Sequence, residues 1–357
     1  MRPDPDAFAA LLCDWCLEPQ EGDQVLVATS IPGMPAALAV HAALLARGAW
    51  PLMRLTGDVL GESFYRHASD AHLDSFAPLE LAEAEAVDAY LTITAPTNTR
   101  ALAEVDPARI ARAGRARAPI TEARLMSRWC GTLWPTPAAA QQAGMSGHDY
   151  EAFVDRALFL DRPDAVQAWK ELSGFQQRLV QRLGSAREIR IEGPGTDLRL
   201  RVDGRTWINS DGKHNMPSGE VYTGPLEDSA SGTIRFTVPS SPGGVEVSDI
   251  QLTFEQGRVI EARAQRGDDY LQAALQTDPG ARFLGELGIG TNTGIDRPTG
   301  SILLDEKMAG TVHLALGRSY PATGGTNSSA LHWDMICDLR DGGRLSVDGE
   351  QLSLTQP

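Results

Sequence analysis

The sequence predicts an α/β N-terminal domain with a parallel sheet, followed by a β-rich α+β C-terminal domain. Three observations predict this arrangement. The chain has 357 residues, more than a single core usually supports. Apolar strands alternate with longer helical segments in the first half, which is typical of βαβ units. Short strands separated by glycine turns replace them in the second half. We place the boundary near residue 185, which gives domains of residues 1–185 and 186–357.

The N-terminal half contains three strand-like runs between helical segments. Helical apolar spacing predicts a first helix over residues 4–17. A second helix is predicted at Pro35–Arg47, and a third, longer one at Pro163–Leu183. The predicted strands are Gln24–Ala28, Trp50–Leu55 and Ala89–Ile93. The turn after the first strand lacks the GxGxxG fingerprint, so a dinucleotide site is not expected there.

The C-terminal half changes to β-hairpins and glycine turns. Gly193-Pro194-Gly195 lies between two strand-like runs and is predicted to form a hairpin turn. The predicted strands are Ile189–Ile191, Leu198–Val202, Gly232–Val238, Val245–Phe254, Arg258–Arg263 and Arg344–Val347.

Composition and charge exclude several classes of partner. The formal net charge is −15, which argues against nucleic acid and anionic membranes because phosphate binding needs a basic face. No window approaches 18 uninterrupted apolar residues, so no membrane span is predicted. The N-terminus lacks the pattern of a signal peptide, and four cysteines do not make a disulfide framework. We therefore expect a cytoplasmic protein. Cys13 and Cys16 have redox-motif spacing, but their position on an amphipathic helix favours a structural role.

Polar, ionisable residues interrupt apolar strand patterns at four places in the C-terminal half. These places are the segments 215–222, 283–292, 310–320 and 331–334. In the last one, His332 and Asp334 are two residues apart, so on a strand both side chains point to one face and can reach a common ion. Imidazole with carboxylate suits zinc, manganese, cobalt or iron. His313 lies in a similar alternation, although a single strand histidine is more often a core residue.

Two glutamates complete the candidate set. Glu286 is followed on the same alternating face by Gly288 and Gly290, which predicts open space beside the carboxylate; a tight turn that needs glycine is the alternative. Glu220 is either a buried ligand or an exposed strand residue. Lys307 is either an anion-binding group or a solvated charge, and a surface position is favoured for His214.

Taken together, these residues supply a dinuclear site. Three carboxylates and two histidines are enough to hold two divalent ions roughly 3.5–4 Å apart. Only two of the five ligands are histidines, so hard or borderline ions such as zinc, cobalt and manganese are favoured over copper.

The same segments resemble the aminopeptidase T and aminopeptidase S family of dinuclear metallopeptidases. Asn-Met-Pro-Ser-Gly-Glu matches the family's first metal-binding glutamate at Glu220, and Leu-Gly-Glu-Leu-Gly-Ile-Gly-Thr-Asn matches the second at Glu286. Gly-Thr-Val-His matches the histidine at His313, and Leu-His-Trp-Asp matches the pair His332 and Asp334. The family's active-site tyrosine falls at Tyr320.

The resemblance implies a metal-dependent aminopeptidase that releases N-terminal residues from peptides with a free amine. Two ions would lower the pKa of a water and polarise the scissile carbonyl. As a hypothesis, Tyr320 stabilises the oxyanion, and Glu220 or Glu286 moves the proton to the leaving amine. The resemblance also implies a homodimer whose N-terminal domains enclose the active site.

Two other functions are compatible with parts of the pattern. His313, His332 and Asp334 alone would make the two-histidine, one-carboxylate triad of a mononuclear iron ring-cleaving dioxygenase. That chemistry has no need of Glu220 together with Glu286, so hydrolysis is favoured. A non-catalytic binding protein on the same fold is disfavoured because every ligand is present.

Overall fold

The computed structural model describes residues 3–354 and divides the chain into two compact units. The first unit extends to Trp169 and also includes Gly212–Pro217, and the second comprises Lys170–Asp211 and the chain from Ser218 onward. The division therefore falls inside a long helix, before the boundary at residue 185 expected from the sequence. The chain also returns to the first unit for six residues, which no local feature of the sequence indicates.

The first part of the chain alternates strands and helices. Its strands are β1 (Gln24–Thr29), β2 (Trp50–Leu55), β3 (Ala89–Thr94) and β4 (Arg128–Leu133). Its helices are α1 (Pro5–Leu11), α2 (Met34–Ala46), α3 (Asp58–His67), α4 (Asp70–Leu73), α5 (Pro78–Ala86), α6 (Pro107–Ala116), α7 (Ala118–Met126), α8 (Pro137–Gln142), α9 (Gly147–Ala157) and α10 (Ala165–Leu183).

The remaining chain is mostly strands. They are β5 (Glu188–Gly193), β6 (Thr196–Arg201), β7 (Ile208–Ser210), β8 (Asn215–Met216), β9 (Glu220–Thr223), β10 (Ser231–Phe236), β11 (Ile250–Glu255), β12 (Arg258–Arg263), β13 (Leu284–Gly290), β14 (Thr311–Gly317), β15 (His332–Asp338), β16 (Arg344–Val347) and β17 (Glu350–Leu352). Two short helices, α11 (Asp268–Ala274) and α12 (Ile302–Asp305), lie between them.

The first unit is built on a parallel sheet in the order β2-β1-β3-β4-β8. Five of the six residues of β1 are buried, as expected for a strand covered on both faces. Full burial of each Val or Leu side chain contributes about 1.5–3 kcal/mol. β2 is different, because it lies at the sheet edge and most of its side chains are exposed.

The second unit contains two antiparallel sheets. A seven-stranded sheet has the order β12-β11-β10-β6-β5-β16-β17, and a five-stranded sheet has the order β15-β14-β13-β9-β7. Every residue of β13 and β14 is buried, so these two strands form the centre of the smaller sheet. The predicted fold class, a parallel α/β domain with a β-rich domain, is confirmed.

Most predicted strands are observed within one or two residues. The hairpin turn at Gly193–Gly195 is confirmed by the β5–β6 pairing. One predicted strand is wrong in its first half: Val245–Phe254 begins only at Ile250. Asp249 has φ 51°, a left-handed conformation that interrupts an extended strand. None of the helices within residues 3–354 combines the length and apolar character that a membrane crossing requires.

Candidate metal centre

The five-stranded sheet brings the predicted ligands to one face. Glu286 on β13 pairs with Ala315, and Ala315 pairs with Asp334 on β15. Gly288, two residues further along β13, pairs with His313 on β14. Since alternate residues share a face and cross-strand partners lie side by side, these side chains project together. Glu220 on β9 pairs with Gly290, two residues beyond Gly288 on β13, so strand register combines four segments that are distant in sequence.

The ligand atoms of the five predicted residues are close to one another. Nε2 of His313 lies 3.1 Å from Oε2 of Glu220 and 3.4 Å from Oε1 of Glu286. Nε2 of His332 lies 3.4 Å from Oδ2 of Asp334 and 3.8 Å from Oε2 of Glu286. The donors form two sets, each within 4.8 Å: Glu220, Glu286 and His313, and Glu286, His332 and Asp334. Glu286 belongs to both.

Two glycines of β13 lie directly against other protein atoms, so they leave no open space beside the strand. A Cβ on Gly288 would meet the imidazole of His313, and one on Gly290 would lie 2.1 Å from the carbonyl oxygen of Met308. The expectation of open space beside Glu286 at these two positions is therefore wrong. The glycines instead allow the ring of His313 and the backbone at Met308 to approach the strand closely.

A buried lysine and a fourth carboxylate extend the cluster. Lys307 has no exposed surface, and its Nζ lies 2.8 Å from Oε1 of Glu220 and also pairs with Glu306. Glu306, His313 and Asp334 form a third set of donors within 4.8 Å. The solvated alternative for Lys307 is thus wrong. Sequence reasoning did not identify Glu306, although three consecutive charged residues after the apolar run Ile302–Leu304 were a usable signal.

Tyr320 lies at the edge of the same cluster. Its ring centroid is 5.3 Å from that of His332 and 5.7 Å from that of Tyr222. Partial burial, together with the charges of Glu286 and Asp334, raises the pKa of Tyr320 above its usual 10. Its hydroxyl therefore keeps its proton at neutral pH and can act as a hydrogen-bond donor.

The electrostatics of the cluster are dominated by negative charge. Burial disfavours the charged form of Glu220, yet Lys307 and His313 outweigh it and the pKa of Glu220 falls to about 2. Burial raises the pKa of Glu286 above its usual value and that of Glu306 to about 7. Burial opposes protonation of His332, but the Asp334 carboxylate beside it raises the pKa of His332 to about 9.

The donor set fits divalent cations. Glu220, Glu286, Glu306 and Asp334 provide four buried or partly buried carboxylates. Histidines that bind a metal are neutral, so only the ammonium of Lys307 would then oppose these carboxylates within the described cluster, and the excess of negative charge needs compensation. Oε2 of Glu220, Oε2 of Glu286 and Oδ1 of Asp334 are buried without a hydrogen bond from the described residues. Carboxylate oxygens with unshared lone pairs that converge with imidazole nitrogens are the ligands of zinc, cobalt and manganese.

Other residues considered from the sequence lie elsewhere. His214 belongs to the first unit, where it is exposed and stacks on Trp129 with ring centroids 4.6 Å apart. Cys13 and Cys16 are buried, and burial raises the pKa of the Cys13 thiol to about 11. A thiol with a raised pKa is a poor nucleophile, so the redox-like spacing has no chemical counterpart in the structure.

Comparison with known proteins assigns the chain to a family. The sequence profile of the family described as thermophilic metalloprotease (M29) matches residues 3–352. The chain belongs to this family. Aminopeptidase 2 of Geobacillus stearothermophilus is 33% identical over 311 residues, covering 76% of this chain and 73% of the relative. Aminopeptidase T of Thermus thermophilus is 30% identical over 293 residues, covering 71% and 70%.

The fold of this M29 member is also that of a solved structure. Wild-type AmpT from Thermus thermophilus superposes with a TM-score of 0.85 at 24% identity, covering 98% of this chain and 96% of the other. The likeness extends over both compact units, so the α/β and β-rich parts occur together in both proteins.

Proposed function

We propose that this protein is a metal-dependent aminopeptidase that removes N-terminal residues from peptides with a free amine. The observation that carries the proposal is the pair of donor sets that share Glu286. Two sets with one common carboxylate are the arrangement that two adjacent divalent ions require. The relatives named aminopeptidases and the metalloprotease family support the reaction class.

The geometry supports a specific division of the ligands. Glu220, Glu286 and His313 would hold one ion, and Glu286, His332 and Asp334 would hold the other, so that Glu286 bridges. Zinc, cobalt or manganese would suit these donors. When bound, the ions supply Lewis acidity and an activated water. Lys307 holds Oε1 of Glu220 in place and leaves its other oxygen directed towards His313.

Proton transfer needs a carboxylate that is not fully occupied as a ligand. Glu220 and Glu286 were the candidates from the sequence, and both belong to the donor sets that would hold the ions. Glu306 belongs to neither of those two sets, yet its carboxylate lies within 4.8 Å of donors on His313 and Asp334. We therefore place the movement of the proton from the water to the leaving amine on Glu306.

Tyr320 would stabilise the charge that develops on the substrate. Its ring lies beside that of His332, and its neutral hydroxyl can donate a hydrogen bond to the carbonyl oxygen as that atom becomes negative. The acidic cluster itself would attract a protonated α-amine. Together these features favour attack at the first peptide bond.

The alternatives are less well supported. A dioxygenase triad would use His313, His332 and Asp334 together, but none of the three donor sets among the described residues contains both histidines, and each set includes Glu286 or Glu306. A purely binding role would not explain why Tyr320 and Glu306 lie beside the donors. The metalloprotease family likewise favours hydrolysis.

A homodimer in the cytoplasm is the assembly and location that we propose. The edge strand β2 exposes Trp50, Met53 and Leu55, and α3 beside it in sequence exposes Val59. An exposed apolar edge of a sheet commonly pairs with another chain. Leu55→Lys should convert a dimer to a monomer in light scattering, whereas an unchanged mass would exclude this interface. The four free cysteines suit a reducing compartment.

The activity is tested with matched peptides. Leu-Gly-Gly and its N-acetylated form should be compared after the protein has been loaded separately with zinc, cobalt and manganese. Release of leucine from the free peptide and little from the capped peptide is expected, because the cap removes the amine that the acidic cluster attracts. Equal cleavage of both peptides would contradict an exopeptidase.

A further inference from the structure

A cavity of about 240 Å³ lies next to the candidate metal centre in the second unit. His332 and Asp334 form part of its wall, and the rest comes mainly from residues 238–242 and 300–305. We propose that this cavity binds the side chain of the substrate's N-terminal residue and selects uncharged apolar side chains. This inference rests on the proposed aminopeptidase function.

The position of the cavity follows from the geometry of an N-terminal residue. In such a residue a single Cα separates the free amine from the scissile carbonyl, and the first side chain branches from that atom. If the amine and carbonyl lie at the ions, the side chain must enter a space that borders the ligands. The cavity does so, because His332 and Asp334 belong both to its wall and to one donor set.

The cavity is held open by the strand at the edge of the small sheet. The backbone N–H of Val238 donates to the carbonyl oxygen of Ile336 on β15 at 3.3 Å, which fixes the segment after β10 against this strand. The indole N–H of Trp333 donates to Oγ of Ser240 at 2.9 Å. These contacts come from the protein itself, so the wall is formed before substrate binds.

The chemistry of the wall favours apolar side chains. Val238, Ile302, Trp333 and Ile336 present hydrocarbon surface. The carboxylate of Asp305 is already satisfied, because it accepts hydrogen bonds from the N–H and hydroxyl of Thr299 and from the N–H of Gly300. It therefore offers little to a charged substrate.

The charge and size of the cavity further limit which side chains it can bind. No lysine or arginine occurs among the described residues that line it, and the carboxylates of Asp305 and Asp334 disfavour an acidic side chain there. Its volume is below the roughly 300–1,000 Å³ of pockets for drug-sized ligands. It therefore suits a single leucine, methionine or phenylalanine side chain.

Ile302 is the residue through which the inference is tested. It is the first residue of α12, lines the cavity and is 47% exposed, so it can be replaced without disturbing a core. Ile260 on β12 is 49% exposed and does not line the cavity, which makes it a matched control. The variants are Ile302→Lys, Ile302→Ala and Ile260→Lys.

The experiment measures kcat/KM for p-nitroanilides of Leu, Phe, Ala and Glu. Wild type should prefer Leu to Ala by at least about 10-fold, since each methylene in an apolar pocket is worth about 10-fold or more. Ile302→Lys should raise the ratio of Glu to Leu by at least about 10-fold, and Ile302→Ala should raise the ratio of Phe to Leu. Ile260→Lys should leave every ratio unchanged.

The outcomes separate this inference from the proposed function. Hydrolysis with wild-type ratios in both Ile302 variants would overturn the assignment of the cavity while leaving the aminopeptidase activity established. A changed preference for the second residue of Leu-Xaa dipeptides, with the first unchanged, would overturn it as well. Failure of the ion-loaded wild type to cleave any peptide with a free amine would overturn the proposed function, and the cavity assignment with it.

Discussion

The imidazole of His313 lies against the Cα of Gly288, its cross-strand partner on β13. A methyl group on Gly288 would be 2.0 Å from Cε1 and 2.1 Å from Nε2 of this ring, distances at which atoms clash. His313 can therefore direct Nε2 at Glu220 and Glu286 only because the neighbouring residue has no side chain. The glycine belongs to the construction of the site without contributing a ligand.

Gly288→Ala should weaken metal binding. The ring of His313 must move away from Glu220 and Glu286, and loss of the support of a ligand typically costs about 10–100-fold in metal affinity. Metal titration against a chromophoric chelator measures the change. Gly174→Ala is the control, because an added Cβ in α10 would meet only the end of the Arg178 side chain at 3.8 Å. Wild-type affinity in Gly288→Ala would show that the ring of His313 does not bind an ion.

Tyr320→Phe should reduce turnover by about 100-fold to 1,000-fold, the usual effect of removing one donor to an oxyanion. KM, metal content and melting temperature should hardly change, because the ring is kept and the side chain is 42% exposed. Tyr270→Phe, on a tyrosine that packs against Trp333, serves as the control. Lowered stability with near-normal turnover would assign Tyr320 a structural role instead.

Lys307→Met should destabilise the metal-free protein by about 3–5 kcal/mol, because it leaves the buried carboxylate of Glu220 and the partly buried carboxylate of Glu306 without their cation. Added divalent ions should restore part of this loss, since they neutralise the same carboxylates. Denaturant unfolding with and without ions measures both effects. Lys170→Met, at an exposed position on α10, should change stability by no more than about 0.5 kcal/mol. An equal effect of the two substitutions would contradict the role of Lys307 as a counter-charge.

Glu306→Gln should lower turnover by about 100-fold to 10,000-fold while two ions remain bound, because the amide cannot accept the proton. Turnover and metal content are measured on the same preparation. A parallel loss of ions would show that Glu306 is a ligand. Near-normal turnover would assign the proton transfer to Glu220 or Glu286 instead.

Much of the candidate site could be predicted because its candidate ligands lie on strands. The spacing of His332 and Asp334 places both side chains on one face of β15 whatever the rest of the fold is. Alternation alone does not reveal which strands are neighbours or in what register they pair, because the paired residues are far apart in sequence. The pairing of Ala315 with Asp334 and with Glu286 is of this kind.

The parts that could not be predicted depend on tertiary contacts. Glu306 follows the short helix α12, where no strand alternation marks an inward side chain. The glycines of β13 were interpreted as leaving space, whereas their partners, the ring of His313 and the carbonyl of Met308, come from segments distant in sequence. Local patterns predict which face a side chain takes, but not what fills the space beside it.

The number of ions bound by wild type and by Glu286→Gln tests the central claim most directly. Each protein is loaded with zinc, dialysed and analysed by mass spectrometry for metal per chain, with circular dichroism to verify the fold. We predict two ions per chain in the wild type and substantial loss of both in the variant, because Glu286 belongs to both donor sets. One ion per chain in the wild type, or two retained in Glu286→Gln, would contradict a two-metal site that is bridged by this residue.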